Sequence, residues 1–503
     1  MSSQRKVITN SFLYTFSSML VKAFGFLLLP LYTLYLETDQ YGIINIINSF
    51  NAMATYIVSF SLYSAVMRYF VEYGSDTERF KRFVGSITTF VILSGLFFFT
   101  ALFLLRNSIS GFLFENITFF PYVLIGISTL IFISIYNVHQ NLMLAMQSGK
   151  KLTLLNLIFF VLQVILNIMF VVFLDMKAVG ILLAGLITNI IYFIYVFIDY
   201  YKMKILWIGI DYKLIKESLL YSIPIIPHNI STYLASFASK VILNKSESLS
   251  EVGVYGVASQ FGSLIDIVQF SVSKAFRPWV FDNLKNLTNE AKEEVRRFSY
   301  YLLLFYSFMY IVIGLFSQEV VVLLLPKSYV LAWTVIPIIV VGFSIKSIYY
   351  FYINLLFYNK QASRILFVAT LTGSMLDIIL AYLLIPVIGM YGSAVAFTFA
   401  KIIIVTIIVI VSRKYNDVKY SVLKMLLIII PSLLFMGLGL IFSYSVFLDQ
   451  FDWFNVLYKV IILVTYLLII FLTNKDLPKK VLLLLKRKKP IHQKDNESLE
   501  VLG

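Results

Sequence analysis

The chain has 503 residues, of which 60% are hydrophobic, 17% aromatic and only 13% charged. Soluble domains carry about 25% charged residues, so this composition excludes a soluble enzyme, a disordered chain and a basic nucleic-acid-binding domain, and points to a polytopic membrane protein. Lys and Arg number 41 against 26 Asp and Glu, a net charge of +15, and the absence of cysteine rules out disulfides and thiolate-bound metal.

In chain order, apolar runs separated by short polar breaks give fourteen candidate spans: 11–36, 41–71, 83–105, 119–146, 152–174, 178–200, 219–243, 251–282, 297–317, 329–357, 363–385, 389–411, 421–446 and 452–472. They are called segments 1 to 14 below. About 20 residues cross a bilayer at 1.5 Å per residue, and the longer runs leave room for tilt. The fold class expected is all-α, a polytopic membrane protein with 14 transmembrane helices. Segment 7, with Pro224 and Pro227, and segment 8, with several polar groups, are the least apolar. Pro224, Pro227 and Pro337 are expected to bend segments 7 and 10. The short N-terminal MSSQRK lacks the cleavage pattern of a removed signal peptide.

The basic residues sort by side. With the N-terminus in the cytoplasm, 28 fall in inner loops and the tail, 4 in outer loops and 9 within segments. The outer set is Arg106, Lys177, Lys245 and Lys327. This is the asymmetry of the positive-inside rule, and it predicts both termini inside. The run from Lys479 to Lys489 reads as a topology anchor, or as an amphipathic stretch on the anionic leaflet.

The nine intramembrane cations are the functional signal. Arg68, Arg277, Lys424 and Lys459 read as interface residues that can snorkel. Lys22, Lys240, Lys274, Lys346 and Lys401 sit in apolar surroundings, where a charge costs several kcal/mol unless it faces a bundle interior or wet cavity. The acids available within segments are few, chiefly Asp266 and Asp377, so the excess predicts a water-filled cavity built for an anion. Amides and hydroxyls fit the same wet interior, among them Asn48 in segment 2 and Asn156, Gln163 and Asn167 on one face of segment 5. His139 and His228 read as hydrogen-bonded packing residues, and His228, Asp266, Asp377, Asn48 and Asn167 are candidate cavity or coupling groups.

A weak internal repeat is present. Ala178-Val179-Gly180 opens segment 6 much as Met390-Tyr391-Gly392 opens segment 12, and in that register Lys401 stands where Asn189 stands. Gln40-Tyr41-Gly42 and Glu251-Val252-Gly253 open segments 2 and 8. The organisation expected is an N-terminal bundle at 1–200, a second bundle at 201–411 in parallel pseudo-two-fold repeat, extra segments at 412–472 and a basic tail at 473–503. No Walker A sequence, GxSxG elbow, HExxH motif or carboxylate pair suited to catalysis is found, and outer loops are short. The chain therefore reads as a transporter and not an enzyme, with no cofactor and no metal.

Several stretches resemble the polysaccharide biosynthesis and export flippases, the translocases of O-antigen, capsule and teichuronic-type lipid-linked oligosaccharides. They are Lys22 to Gly25 with Leu29-Pro30-Leu31-Tyr32, Gln40-Tyr41-Gly42, Ser222-Ile223-Pro224 with Pro227-His228, Glu251 to Tyr255, Phe276-Arg277-Pro278-Trp279, and Ile385-Pro386 through Ala396. They run in the family's order over most of residues 8–411. The family shares a superfamily with multidrug-and-toxin extrusion antiporters and peptidoglycan lipid flippases. The chain departs from its pattern at Ser239-Lys240, where an Asp-Arg pair is usual, and at Asp377, where Asn is usual.

The resemblance implies movement of an undecaprenyl-diphosphate-linked glycan to the outer face of the cytoplasmic membrane by alternating access. The diphosphate would lie on Lys22, Lys240, Lys274 and Lys346, with Lys401 and Arg68 behind them. Proton or sodium coupling, a polysaccharide polymerase partner and a monomeric state go with this reading. A peptidoglycan-precursor flippase is the alternative. A multidrug or cation antiporter fits less well, because its cavity should be acidic.

Overall fold

The computed structural model describes residues 25–26, 28–74, 76–285, 288–358, 363–415 and 418–473. Lys22 and the Lys479–Lys489 run lie outside them. Among the described residues the chain is all-helical, with no strand. Among the described residues, ten helices are long and apolar enough to cross a membrane, and they coincide with segments 3 to 6 and 9 to 14. Segment 2 adds an eleventh if the pair Thr38–Val58 and Leu62–Tyr73, bent by 46°, counts as one span.

The other three segments depart from simple spans for legible reasons. Of segment 1, the helix Leu29–Tyr35 is described. Segment 7 is broken: Tyr212–Ser222 ends at the short turn Ile223–Ile225, and Ile226–Ser246 follows. Pro224 and Pro227 each remove a backbone donor there. Segment 8 is one helix of 37 residues, Leu249–Lys285, whose polar face lowers its hydropathy. Pro337 lies within the helix Ala332–Tyr358. Side-chain caps mark the predicted inner starts of segments 3, 7, 9 and 13. Asp76 accepts from the Arg79 amide, Asp211 from Lys213 and Leu214, Thr288 from Ala291, and Ser421 from Lys424. Such caps satisfy helix donors that a bilayer would leave bare.

Segments 2 and 8 cross closely at their predicted outer ends. A Cβ on Gly42 would overlap the Leu249 carbonyl oxygen, and one on Gly253 would overlap that of Thr38. Only glycine permits two backbones to approach this far. Beside the crossing, Thr38 and Ser250 share a hydrogen bond of 2.7 Å. The two glycines that open segments 2 and 8 in sequence thus meet in space.

Segment 2 then bends without proline or glycine. Phe60 and Ser61 take φ of 48° and 51°, a left-handed conformation that costs roughly 1–2 kcal/mol per residue outside glycine. The break is held by its neighbours. Ser94 Oγ donates to the freed Val58 carbonyl at 2.7 Å, and Asn229 Nδ2 to Ser61 Oγ at 3.3 Å.

Lys459 corrects the snorkelling expectation. It is fully buried, with its Nζ 2.6 Å from Glu319 Oε1 and 3.0 Å from Gln318 Oε1. Asn455 donates to the same Gln318 oxygen at 2.9 Å. The expectation failed because Glu319 looked like an outer-loop residue. The helix Ser317–Leu324 instead carries it into the packed interior beside segment 14.

Candidate functional site

Of the cavities between the described helices, two have polar linings of contrasting chemistry. The larger, about 530 Å³, is lined by segments 7, 8, 10, 11 and 12, with Tyr56 from segment 2. Segment 8 contributes Asp266, Phe270, Lys274 and Arg277. Their spacing of four, four and three residues is the repeat of one helical face. Segment 10 contributes Lys346, Tyr349, Tyr350, Ile353 and Phe357 by the same periodicity, and segment 12 contributes Lys401. Four cations thus face one carboxylate in the lining.

The polar contacts orient these groups. Lys346 Nζ lies 2.7 Å from Asp266 Oδ1, and the Tyr350 hydroxyl donates to the same oxygen at 2.7 Å. Arg277 Nε donates to Asn354 Oδ1 at 2.9 Å, and its guanidinium lies 4.5 Å from the Phe357 ring centre. Lys274 Nζ sits 4.3 Å from the Phe270 ring, and Lys401 Nζ 4.4 Å from that of Phe397. An aromatic face steadies a cation through the electrostatic attraction of its ring. His228 lines the same space with Nδ1 2.9 Å from Thr370 Oγ1.

The remaining sequence-predicted residues lie elsewhere. Lys240 is buried, and its Nζ donates to Ser49 Oγ at 2.6 Å, so it ties segment 7 to segment 2 near the glycine crossing. Arg68 is exposed on Leu62–Tyr73, 6.0 Å from the Tyr69 ring. Asp377 is buried behind the cavity, with Lys401 as its charged neighbour. Asn167 Nδ2 donates to the Tyr32 hydroxyl at 2.8 Å. Sequence reasoning placed Arg277 at an interface. The stripe formed by 266, 270, 274 and 277 was the signal that could have moved it into the cavity.

The second cavity, about 390 Å³, lies within the first half and is lined by segments 2, 4, 5 and 6. Asn48, Asn51, Asn156, Gln163, Thr188 and Asn189 supply its polar surface, and Tyr136, Phe159, Phe160 and Tyr192 its aromatic surface. Among the described residues, no Asp, Glu, Lys or Arg lines it. Behind Tyr192 stands a chain of polar groups, buried at His139 and Asp199. His139 Nδ1 lies 2.8 Å from the Tyr192 hydroxyl, His139 Nε2 3.0 Å from Asp199 Oδ2, and Lys151 Nζ 2.5 Å from Asp199 Oδ1. Among the described residues, no group of three or more His, Asp and Glu could hold a metal ion.

Comparison with known proteins agrees with this geometry at the level of fold. The structure titled lipid II flippase MurJ in an inward closed conformation aligns with a TM-score of 0.69, over 93% of this chain and 99% of that one, at 16% identity. An inward-facing multidrug resistance MATE family transporter of the MOP superfamily aligns at 0.59, over 82% of this chain and 94% of that one, at 12% identity. The Vibrio cholerae MATE transporter VcmN in its bent form aligns at 0.53, over 85% of this chain and 100% of that one, at 13% identity. Comparison with curated protein sequences gives no match. The profile described as "Polysaccharide biosynthesis protein" matches residues 7–284. That is more than half of the chain, which therefore belongs to the polysaccharide biosynthesis protein family.

Proposed function

We propose that the protein is a flippase that moves an undecaprenyl-diphosphate-linked oligosaccharide from the cytoplasmic to the outer face of the cytoplasmic membrane. The observation that carries the reading is the lining of the larger cavity, where the described residues include Lys274, Arg277, Lys346 and Lys401 against one carboxylate, Asp266, with Asp377 buried behind Lys401. A cation exporter needs the opposite balance. A diphosphate needs this one, because buried cations at bilayer depth are stable only when an anion or water answers them. Arg277 offers a planar fork to phosphate oxygens, and the lysines offer point charges.

Alternating access is supported by the contacts that segment 2 makes at both of its ends. The predicted outer ends of segments 2 and 8 meet at Gly42 and Gly253. The inner end of segment 2 meets segment 7 through Tyr73, whose hydroxyl donates to Glu217 Oε2 at 2.8 Å. Both termini are assigned to the cytoplasm on the distribution of basic residues. The two-bundle organisation, a monomeric state, the absence of catalysis, and coupling to a proton or sodium gradient belong to the same reading. Lipid II, named for the MurJ structure, also carries a diphosphate, so the test must compare glycans.

The test is transfer in proteoliposomes, with a fluorescent undecaprenyl-diphosphate-linked sugar and an impermeant quencher. Removing one charge-assisted contact costs about 1.5–3 kcal/mol, so the double variant Lys346→Gln/Lys401→Gln should slow transfer by roughly tenfold or more. Lys216→Gln, in a predicted inner loop, should behave as wild type. Equal rates for the double variant and wild type would remove the cavity from the mechanism. Transfer of lipid II in preference to simpler glycans would reassign the substrate.

A further inference from the structure

We infer that the uncharged cavity of the first half is a glycan subsite, which takes a neutral or N-acetylated sugar ring while the cationic cavity of the second half takes the diphosphate. The inference rests on the proposed function and adds to it a separate place for the sugar.

Four observations carry it. The first is chemistry. Asn48, Asn156, Gln163 and Asn189 present amides beside the rings of Tyr136 and Phe159. Amides both donate to and accept from sugar hydroxyls, and aromatic faces match the apolar C–H faces of a pyranose. The absence of any charged group from the described lining residues disfavours a second anion. The second is unmet demand. Asn51 and Thr188 belong to this lining, and Asn51 Oδ1 and Thr188 Oγ1 are buried without a hydrogen-bond partner among the described residues. Such atoms are costly inside a membrane protein unless a ligand or water meets them.

The third is symmetry. Asn189 and Tyr192 line the first cavity, and Lys401 and Ile404 line the second, at the same offset along the chain. Gly180 and Gly392, which share that offset, each press against the helix that precedes them, at Phe170 and Leu384. The two cavities are thus equivalent places in a repeat, and the sequence has made one cationic and one neutral.

The fourth is continuity. Segment 2 walls both: Asn48 and Ala52 face the neutral cavity, and Tyr56 the cationic one. These positions are four apart on one helical face and span about 12 Å along the axis. That is the scale of a diphosphate with its first sugars.

The test uses purified full-length protein in detergent and two probes, undecaprenyl diphosphate and undecaprenyl-diphosphate-N-acetylglucosamine. Wild type should bind the glycosylated lipid about tenfold tighter, the worth of two net hydrogen bonds. Gln163→Leu/Asn189→Leu should abolish that preference and leave affinity for the bare diphosphate unchanged, which also shows that the variant is folded. Lys346→Gln/Lys401→Gln should weaken both probes alike. If the leucine variant keeps the sugar preference, the glycan subsite is wrong and the flippase reading stands. If the lysine variant binds the bare diphosphate as wild type does, the cationic cavity fails as the diphosphate site, and the inference falls with it.

Discussion

Substituting Gly253 by alanine should open the predicted outer end. The added methyl would fall on the Thr38 carbonyl oxygen, and the Gly42 amide nitrogen lies only 3.2 Å away. Both obstacles are helix backbone, so no rotamer change can make room, and segments 2 and 8 must separate. Overpacking of this kind costs about 1–3 kcal/mol. The penalty applies only while the crossing is closed, so the ratio of closed to open forms should fall by roughly 5- to 150-fold. The chain has no cysteine, which makes the measurement clean. Thr38 and Ser250 hydroxyls are 2.7 Å apart, so the Thr38→Cys/Ser250→Cys pair is placed to form a disulfide. Gly253→Ala in that background should slow cross-linking under mild oxidant by tenfold or more, and speed labelling by a membrane-impermeant maleimide. Gly111→Ala, where a Cβ meets nothing within 4 Å, is the control. Cross-linking at the wild-type rate in Gly253→Ala would show that the crossing is not the closure.

Three further outcomes follow from buried polar groups. Lys459→Ala strands the carboxylate of Glu319 in the interior and should cost about 3–5 kcal/mol, read as a lower unfolding temperature in detergent; Lys459→Met with Glu319→Gln should recover most of it. His139→Phe leaves Asp199 Oδ2 and the Tyr192 hydroxyl without their shared partner and should destabilise by about 1–3 kcal/mol, while Lys151→Gln, partly exposed at 37%, should cost less; equal losses would mean that the chain of contacts does not centre on the histidine. Ser94→Ala removes the donor that holds the Val58 carbonyl at the bend of segment 2 and should cost about 1–3 kcal/mol, whereas Thr406→Ala, on an exposed helical face, should change nothing.

Much of the architecture was legible because a bilayer leaves few choices. Backbone groups must pair locally, so each long apolar run becomes a helix, and hydropathy alone locates segments 3 to 6 and 9 to 14. Segment 8 was visible as a polar stretch, but its polarity marks a cavity wall, which one-dimensional hydropathy averages away. The bend in segment 2 carried no signal, because Phe60 and Ser61 are held in left-handed geometry by contacts from Ser94 and Asn229, far away in sequence.

The sites divide in the same way. Lys274, Lys346 and Lys401 were identified as deep cations, and they line one cavity with Asp266 and His228. Lys240 was equally deep in sequence, but its ammonium donates to Ser49 of segment 2 and does not line that cavity. Depth can be read from a run of apolar residues. Direction depends on which partner helix lies opposite.

Segment 2 joins the gate to both cavities, and this has a thermodynamic consequence. Gly42 lies in the crossing, and Tyr56 faces the cationic cavity about 21 Å further along the same helix axis. In the proposed mechanism, separating the crossing moves the wall of the cationic cavity, so gate and site share one equilibrium. Linkage then requires reciprocity: a ligand that favours one arrangement must bind that arrangement more tightly by the corresponding factor. Undecaprenyl diphosphate should therefore change the cross-linking rate of Thr38→Cys/Ser250→Cys, and the cross-linked protein should bind the same lipid with an affinity shifted in the matching direction. If the lipid accelerates closure, the locked form must bind it more tightly; if it retards closure, less tightly. A lipid that alters cross-linking while the locked and unlocked proteins bind it equally would show that it acts on the disulfide chemistry and not on segment 2.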